Sequence, residues 1–236
     1  MKYIICSDIH GNIIALNNLL CTLNNNSIEG IIFCGDFMGY YYHANDVLTQ
    51  FRKMPNILSI KGNHDVNYLD AIENDSVRED FMMKYGHAYA LPLDEQNKIY
   101  LSKFPDSLSV TIEGKHVGIF HGTPDNPLNG RLYPDTPITK EQKEMFDKYD
   151  IVFLGHTHYR MKRISKHTLI INPGSLGQPR DGNGFSYCIF DFQDNDCIFK
   201  TVDCNLNIIN NAIQQFETLA YHRHYLKSVL QRNIKE

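Results

Sequence analysis

The stretch that decides the fold is KYIICSDIHGN, residues 2–12. Its first half, residues 2–6, is a continuous apolar run, which is typical of a strand buried on both faces. The run ends at the polar segment 7–12, and apolar residues then recur at three- and four-residue steps as far as Leu23. That spacing predicts a helix, and the asparagines at 24–26 are expected to end it.

The same alternation continues along the first third of the chain. A second apolar run, residues 28–34, ends at Gly35-Asp36, and a third, 57–60, ends at the GNHD segment 62–65. Residues 45–53 between them read as a short helix. A β-α-β-α-β order favours a parallel sheet with helices packed against it.

The remaining segments are helical first and then rich in strands. Residues 76–103 read as mostly helical, and 121–137 as a long loop. A closing amphipathic helix over about 205–233 is expected to pack on the core, with a dimer contact as the alternative. No linker is apparent, so residues 1–236 are predicted to form a single domain. Strands are predicted at 107–112, 116–120, 151–154, 160–164, 168–171, 185–192 and 196–203, and a helix near 140–148.

Composition excludes several classes of function. The chain has 236 residues, with 23 Lys and Arg against 27 Asp and Glu, a net charge of −4. That balance predicts no extended nucleic-acid surface and no attraction to anionic membranes. The six cysteines lack C-x-x-C spacing and read as buried thiols of a reducing compartment. No apolar stretch approaches the length of a bilayer and no signal peptide is visible, so a cytoplasmic protein is expected.

Five of the predicted strands end in loops that carry metal-binding side chains. Functional groups of α/β proteins gather at the carboxyl ends of strands. A single catalytic metal needs about three protein ligands, so seven ligands suit two ions that share a bridging carboxylate. The set lacks thiolates and suits Mn, Fe, Co, Ni or Zn, with manganese favoured. The candidate ligands are Asp8, His10, Asp36, Asn63, His121, His156 and His158.

Spacing supports this interpretation. Residues i and i+2 of an extended segment point the same way, so Asp8 and His10 can reach one ion. His156 and His158 have the same spacing but could diverge to two metals across a turn.

The ordered set of motifs resembles the calcineurin-like metallophosphoesterases, over residues 1–203. The motifs are D-x-H at 8–10, G-D-x-x-G at 35–39, G-N-H-D at 62–65, H-G at 121–122 and G-H-T-H at 155–158. The resemblance implies an α/β fold, a sandwich of two mixed β-sheets flanked by α-helices.

A finer similarity is to the small prokaryotic branch of YfcE-like or diadenosine-tetraphosphatase-like phosphodiesterases. It is carried by SDIHGN at 7–12, HGTP at 121–124, and NPGS at 172–175 followed by Pro179-Arg180. The chain departs from that branch at 39–43, where GYYYH replaces the usual Gly-Tyr-Gly-Pro beside the cleft.

The resemblance also implies individual roles. His64 would face the phosphoryl group, and Asp65 would orient His64 from behind, although Asp65 could instead cap a helix. The NPGS segment would support the metal loops. The first metal would be held by Asp8, His10 and His158, the second by Asn63, His121 and His156, and both by Asp36.

Two further residues are candidates for substrate binding. Arg180 could bind the phosphate bidentately or be a solvated loop arginine. Tyr40, with the two tyrosines after it, could stack on a ring, pack in the core or contact another subunit.

The predicted function is hydrolysis of a phosphodiester bond in a small or nucleotide-like substrate by a hydroxide that two metals activate. Alternatives are a phosphomonoesterase or a dinucleoside polyphosphate hydrolase. A non-catalytic scaffold, as in the retromer subunit of this superfamily, normally loses a key histidine, whereas here His64 and every candidate ligand are present. A homodimer is a further possibility.

Overall fold

The computed structural model of the chain describes residues 1–23 and 27–231. The strands in these ranges are β1 (Lys2–Cys6), β2 (Ile28–Phe33), β3 (Ile57–Ser59), β4 (Ser107–Ile112), β5 (Lys115–Phe120), β6 (Ile151–Phe153), β7 (Arg160–Ser165), β8 (Thr168–Pro173), β9 (Ser186–Asp191) and β10 (Asp196–Thr201). The α-helices are α1 (Ile13–Leu23), α2 (Ala44–Phe51), α3 (Asn63–Glu73), α4 (Asp75–Tyr85), α5 (Glu95–Ser102), α6 (Lys140–Phe146), α7 (Leu206–Phe216) and α8 (Ala220–Gln231), with a short 3-10 helix at His87–Ala90.

The strands form two mixed sheets of five strands each. The first has the order β10-β9-β1-β2-β3, and the second β4-β5-β6-β8-β7. Strands β1, β2 and β3 are parallel, whereas β9 and β10 join that sheet as antiparallel strands. In the second sheet β5, β6 and β8 are parallel and the edge strands β4 and β7 are antiparallel. The predicted fold class, two mixed sheets flanked by helices, is confirmed.

Strand β1 is buried on both faces, as its apolar run predicts. Ile4 packs into the cluster beneath α1 and α2, whereas Ile5 packs between the two sheets. Successive side chains of a strand point to opposite faces, so one short run contributes to both layers. Phe153 of β6 belongs to the same layer as Ile5, which shows that the two sheets pack face to face.

The predicted closing helix over 205–233 is wrong as a single element. The chain forms α7 and α8 with a break at Glu217, whose backbone is extended (φ −81°, ψ 116°). The Glu217 carboxylate is buried and accepts the backbone N–H of Leu219 at 2.9 Å and of His87 at 3.1 Å. These contacts stabilise the break, because helix continuation would withdraw the carboxylate from them.

Two predictions reach outside the described residues. These are the break at the asparagines 24–26 and the end of the last helix beyond residue 231. None of the helices among residues 1–23 and 27–231 combines the length and the apolar character that crossing a membrane requires.

Candidate metal centre

The carboxyl ends of five parallel strands from both sheets bring the predicted ligands to one edge of the molecule. The loops are joined by backbone hydrogen bonds. Asp8 N–H donates to the carbonyl of Gly35 at 2.9 Å, and His10 N–H to that of Asp36 at 3.0 Å. Within the second sheet, Gly155 N–H donates to the carbonyl of His121 at 2.9 Å, and His121 Nδ1 lies 2.7 Å from the carbonyl of Cys34 in the first sheet. Hydrogen bonds therefore join the loops of both sheets into one surface.

The backbone is strained at most of the predicted ligands. Left-handed φ angles cost non-glycine residues about 1 kcal/mol or more each, and they cluster at functional sites. Aspartate and histidine are enriched in this region relative to other non-glycine residues, but they still adopt it only in a minority of positions. Five of the seven predicted ligands have such angles: Asp8 (54°), His10 (49°), Asp36 (67°), His156 (66°) and His158 (63°).

One group of ligand atoms surrounds Asp8. His158 Nε2 lies 3.1 Å from Asp8 Oδ1 and 3.2 Å from His10 Nε2. His10 Nε2 is 3.7 Å from Asp36 Oδ2. Ligand atoms of these four buried residues all lie within 4.8 Å of one another, as a shared cation requires.

A second group lies on the other side of Asp36. His121 Nε2 is 3.2 Å from Asp36 Oδ2 and 3.1 Å from Asn63 Oδ1. Asp36 Oδ2 is thus approached by His10 from one group and His121 from the other. Among the described residues this buried oxygen has no hydrogen-bond partner of good geometry. A buried carboxylate oxygen without one is costly unless a cation lies beside it, which here is either a metal ion or the protonated ring of His121.

The histidine rings are held so that Nε2 faces the carboxylates. Backbone carbonyls accept only, so the Nδ1 atom next to each one carries the hydrogen. Each Nε2 atom therefore faces the carboxylates and the other rings, and without a second proton it would direct its lone pair there, an arrangement that a divalent cation stabilises. The residues present thus fit a metal centre. The Nδ1–H groups of His10, His121 and His158 donate to the carbonyls of Met38 (2.7 Å), Cys34 (2.7 Å) and Gln178 (2.6 Å).

His156 lies beside this centre, and its ring is turned toward Arg131, which was not among the site residues predicted from the sequence. The backbone N–H of His156 donates to the Asp8 carboxylate at 3.1 Å, and its ring centroid is 5.1 Å from that of His121. Its Nε2 accepts a hydrogen bond from Nε of Arg131 at 3.2 Å. Arg131 is an exposed residue of the long loop after His121. In the sequence, only the location of Arg131 in that loop pointed to a place beside the site.

Asp65 has a different role from the predicted one. Its carboxylate accepts the backbone N–H groups of Asp36, Met38 and Gly62, each at 2.9 Å. These bonds fasten the Asp36 loop to the first turn of α3, which agrees with the capping alternative. His64 instead contacts the hydroxyl of Tyr89, 2.6 Å from its Nδ1. The prediction that Asp65 orients the His64 ring is therefore wrong.

The two predicted substrate-binding residues meet beside the centre. Arg180 Nη2 donates to Gln178 Oε1 at 2.8 Å and to the Tyr40 hydroxyl at 3.5 Å. The Tyr40 ring centroid is 4.7 Å from that of His10 and 5.0 Å from that of His64. Arg180 is thus packed against the site rather than freely solvated.

The NPGS segment supports the loops, as the resemblance implies. The Asn172 side-chain amide donates to the carbonyl of Gly155 at 2.6 Å, and the Ser175 hydroxyl to that of Asp8 at 2.8 Å. Both loops carry predicted ligands, so these bonds fix ligand positions from behind.

Opposing effects set the charges of the centre. Burial alone would raise the pKa of Asp8, but His158 beside it, together with His121, lowers it to about 2. Burial lowers the pKa of His10 well below its usual range. Burial would also lower the pKa of His121, but the carboxylates of Asp36 and Asp8 raise it to about 9. The metal-free centre therefore holds a proton on His121 at neutral pH.

Metal affinity is expected to increase with pH, because a metal at His121 Nε2 must displace that proton. The association constant should rise about tenfold per pH unit from pH 6.5 toward 9. In the metal-free protein the His121–Asp36 pair stabilises the fold fully below pH 6.5, and this contribution is lost as the pH rises through 9. Calorimetric titration with Mn²⁺ in buffers of different ionisation enthalpy would count the released protons. An affinity independent of pH would contradict the assignment.

Converging carboxylates and imidazoles at the carboxyl ends of parallel strands are typical of a metal-dependent hydrolase. Residues 1–195 match the family model described as the calcineurin-like phosphoesterase superfamily domain, and the chain belongs to this family. It is accordingly a metallophosphoesterase, a hydrolase that acts on phosphoester bonds. The family uses divalent metal ions.

Relatives and solved structures agree with this assignment. The chain is 36% identical over 211 residues to an uncharacterized protein of Methanocaldococcus jannaschii, covering 80% of this chain and 82% of the relative. It is 27% identical over 175 residues to a phosphodiesterase of the same archaeon, covering 74% and 83%. The crystal structure of a metallophosphoesterase from Sphaerobacter thermophilus is similar in fold, with a TM-score of 0.80, 24% identity and 99% coverage of both chains.

Proposed function

We propose that the chain hydrolyses a phosphodiester bond of a small or nucleotide-like substrate at a centre of two divalent transition-metal ions. The observation that carries the proposal is the position of Asp36, whose Oδ2 lies between His10 on one side and His121 on the other. Asp8, His10 and His158 would hold one ion, and Asn63, His121 and His156 the other, with Asp36 shared between them.

We propose manganese as the native metal, with iron, cobalt, nickel and zinc as the other candidates. Carboxylate, amide and imidazole ligands without thiolate suit these ions. When bound, the ions would activate water and neutralise the charge of the phosphoryl group. His156 would need to release Arg131 to take part, which leaves that guanidinium available for a phosphate oxygen.

The protein's own residues would orient the substrate and move one proton. Arg180, half-buried next to Tyr40, would bind a phosphate oxygen and hold the phosphorus in position. Burial lowers the pKa of His64 to about 4, so the negative charge of a bound phosphate would have to raise it before His64, 5.1 Å from His10 between ring centroids, could donate a proton to the leaving oxygen. The Tyr89 hydroxyl at its Nδ1 fixes the ring for that transfer.

Comparing two chromogenic esters tests the proposal. With manganese-loaded protein, kcat/KM for bis-p-nitrophenyl phosphate is expected to exceed that for p-nitrophenyl phosphate by about tenfold or more, a difference of about 1.4 kcal/mol in transition-state binding. The phosphodiesterase activity named for the 27% identical relative supports this direction.

Other outcomes of this comparison would favour the alternatives. Preference for the monoester would indicate a phosphomonoesterase. Faster cleavage of diadenosine tetraphosphate would indicate a dinucleoside polyphosphate hydrolase. No turnover of any ester by metal-loaded protein would favour a metal-binding scaffold.

We further expect a cytoplasmic protein whose partners are small phosphate esters. Light scattering would test whether the chain forms a homodimer.

A further inference from the structure

Three tyrosines from distant parts of the chain stand together beside the metal centre. The ring of Tyr225 in α8 lies 6.4 Å from that of Tyr40, and the ring of Tyr85 at the end of α4 lies 6.5 Å from it. Tyr85 also packs edge-on against His64, at 4.6 Å between centroids. We call Tyr40, Tyr85 and Tyr225 the tyrosine wall. It joins the proposed leaving-group side of the site to the last helix of the described chain.

Buried hydrogen bonds of Glu217 hold the three segments of the wall together. Its carboxylate accepts from the Tyr42 hydroxyl at 3.4 Å, two residues after Tyr40. It also accepts the backbone N–H of His87, two residues after Tyr85, and that of Leu219, just before α8. The break that separates α7 from α8 therefore also fixes where Tyr225 lies. The wall is a built feature rather than a chance contact of surface rings.

The outer ring of the wall, that of Tyr225, remains accessible to a ligand. Tyr40 is 9% exposed, whereas Tyr225 is 37% exposed and Tyr85 is half-buried. A planar group could therefore stack on the exposed ring of Tyr225, whereas the ammonium of Lys84 already lies over the Tyr85 ring, 4.9 Å from its centroid. The Arg180 guanidinium contacts the Tyr40 hydroxyl, so a cation for phosphate adjoins the aromatic surface.

We propose that the tyrosine wall binds the nucleobase of a nucleotide phosphoester, with Tyr225 as a specificity-determining residue. The inference rests on the proposed function, because it assigns a substrate class to the same site. Aromatic rings stack on any nucleobase, because every base has a flat π-face. An alkyl or glycerol group has no such face and would not stack. Arg180 next to the wall would bind the phosphate of the same nucleotide.

The affinities of AMP and ribose 5-phosphate for the manganese-loaded protein test the proposal. The two ligands share sugar and phosphate, and only AMP carries a base. Calorimetric titration is expected to give a dissociation constant for AMP at least about tenfold below that for ribose 5-phosphate, within the range of one stacked base. Equal dissociation constants would overturn the proposal.

Three variants test whether the preference for AMP over ribose 5-phosphate depends on the ring of Tyr225. Tyr225→Ala and Tyr225→Leu are expected to weaken AMP binding by about tenfold or more and to leave the dissociation constant of ribose 5-phosphate within about twofold. Tyr225→Phe keeps the ring and should keep the preference for AMP. Because leucine preserves apolar packing, it controls for loss of structure in the alanine variant. Wild-type affinity for AMP in Tyr225→Ala and Tyr225→Leu would overturn the role of Tyr225.

These titrations are separable from the test of catalysis. Binding of AMP requires no turnover, whereas the diester assay measures hydrolysis directly. Active wild-type enzyme with no preference for AMP would refute only the tyrosine wall. A preference for AMP that depends on Tyr225, without hydrolysis of any ester, would refute only the proposed reaction.

Discussion

Replacing Asp36 with alanine is expected to lower the metal content from two ions per chain to less than one and kcat/KM by about a thousandfold or more. Removal of a bridging carboxylate weakens both sites at once, and each ion supplies several kcal/mol of charge stabilisation. The change also leaves His10 and His121 without the oxygen between them. Elemental analysis after loading with manganese and gel filtration measures the first effect, and hydrolysis of bis-p-nitrophenyl phosphate the second.

The asparagine variant is the matched control for Asp36. Asp36 Oδ1 accepts the backbone N–H of His64 at 2.9 Å, at the start of α3. Asp36→Asn can keep this hydrogen bond while it loses the negative charge, so it should keep the fold and still lose most of the metal. Full metal retention in Asp36→Ala would refute the bridging role.

Replacing His64 with alanine is expected to lower kcat for bis-p-nitrophenyl phosphate by about 10²- to 10⁴-fold, the usual range for a general acid. The metal content should stay at the wild-type value, because His64 is not among the proposed ligands. A substrate with a poorer leaving group should lose more, since its oxygen depends more on protonation. Steady-state rates with diesters of graded leaving-group pKa, beside elemental analysis of the same samples, provide the measurement.

Tyr89→Phe is the matched variant for His64. It keeps the buried ring and removes only the hydroxyl that lies 2.6 Å from His64 Nδ1. We expect a smaller fall in kcat than for His64→Ala. Unchanged turnover in His64→Ala would remove the assigned role, and loss of metal in that variant would indicate that His64 acts on the centre itself.

The local sequence pattern was sufficient to predict the strands of the two sheets and the loops that carry the proposed ligands. Apolar runs such as residues 2–6 predict strands because a doubly buried strand needs no polar face. The carboxyl ends of parallel strands share an edge, so the loops at Asp8, Asp36 and Asn63 could be expected to converge. The second sheet adds His121 and His156 by the same rule, because β5 and β6 are parallel as well.

Features that depend on contacts distant in sequence could not be predicted. The break between α7 and α8 depends on bonds from Glu217 to His87 and Tyr42, more than a hundred residues earlier. The role of Asp65 depends on N–H groups of the Asp36 loop. A sequence pattern shows which residues can cap a helix or donate a hydrogen bond, but the tertiary fold determines the partner of each one.

Diffraction from crystals of the manganese-loaded protein at the manganese absorption edge tests the central claim most directly. The account predicts two anomalous peaks about 3.5–4 Å apart, one near Asp8, His10 and His158, the other near Asn63, His121 and His156, with Asp36 between them. One peak, or peaks away from Asp36, would contradict a centre of two metals.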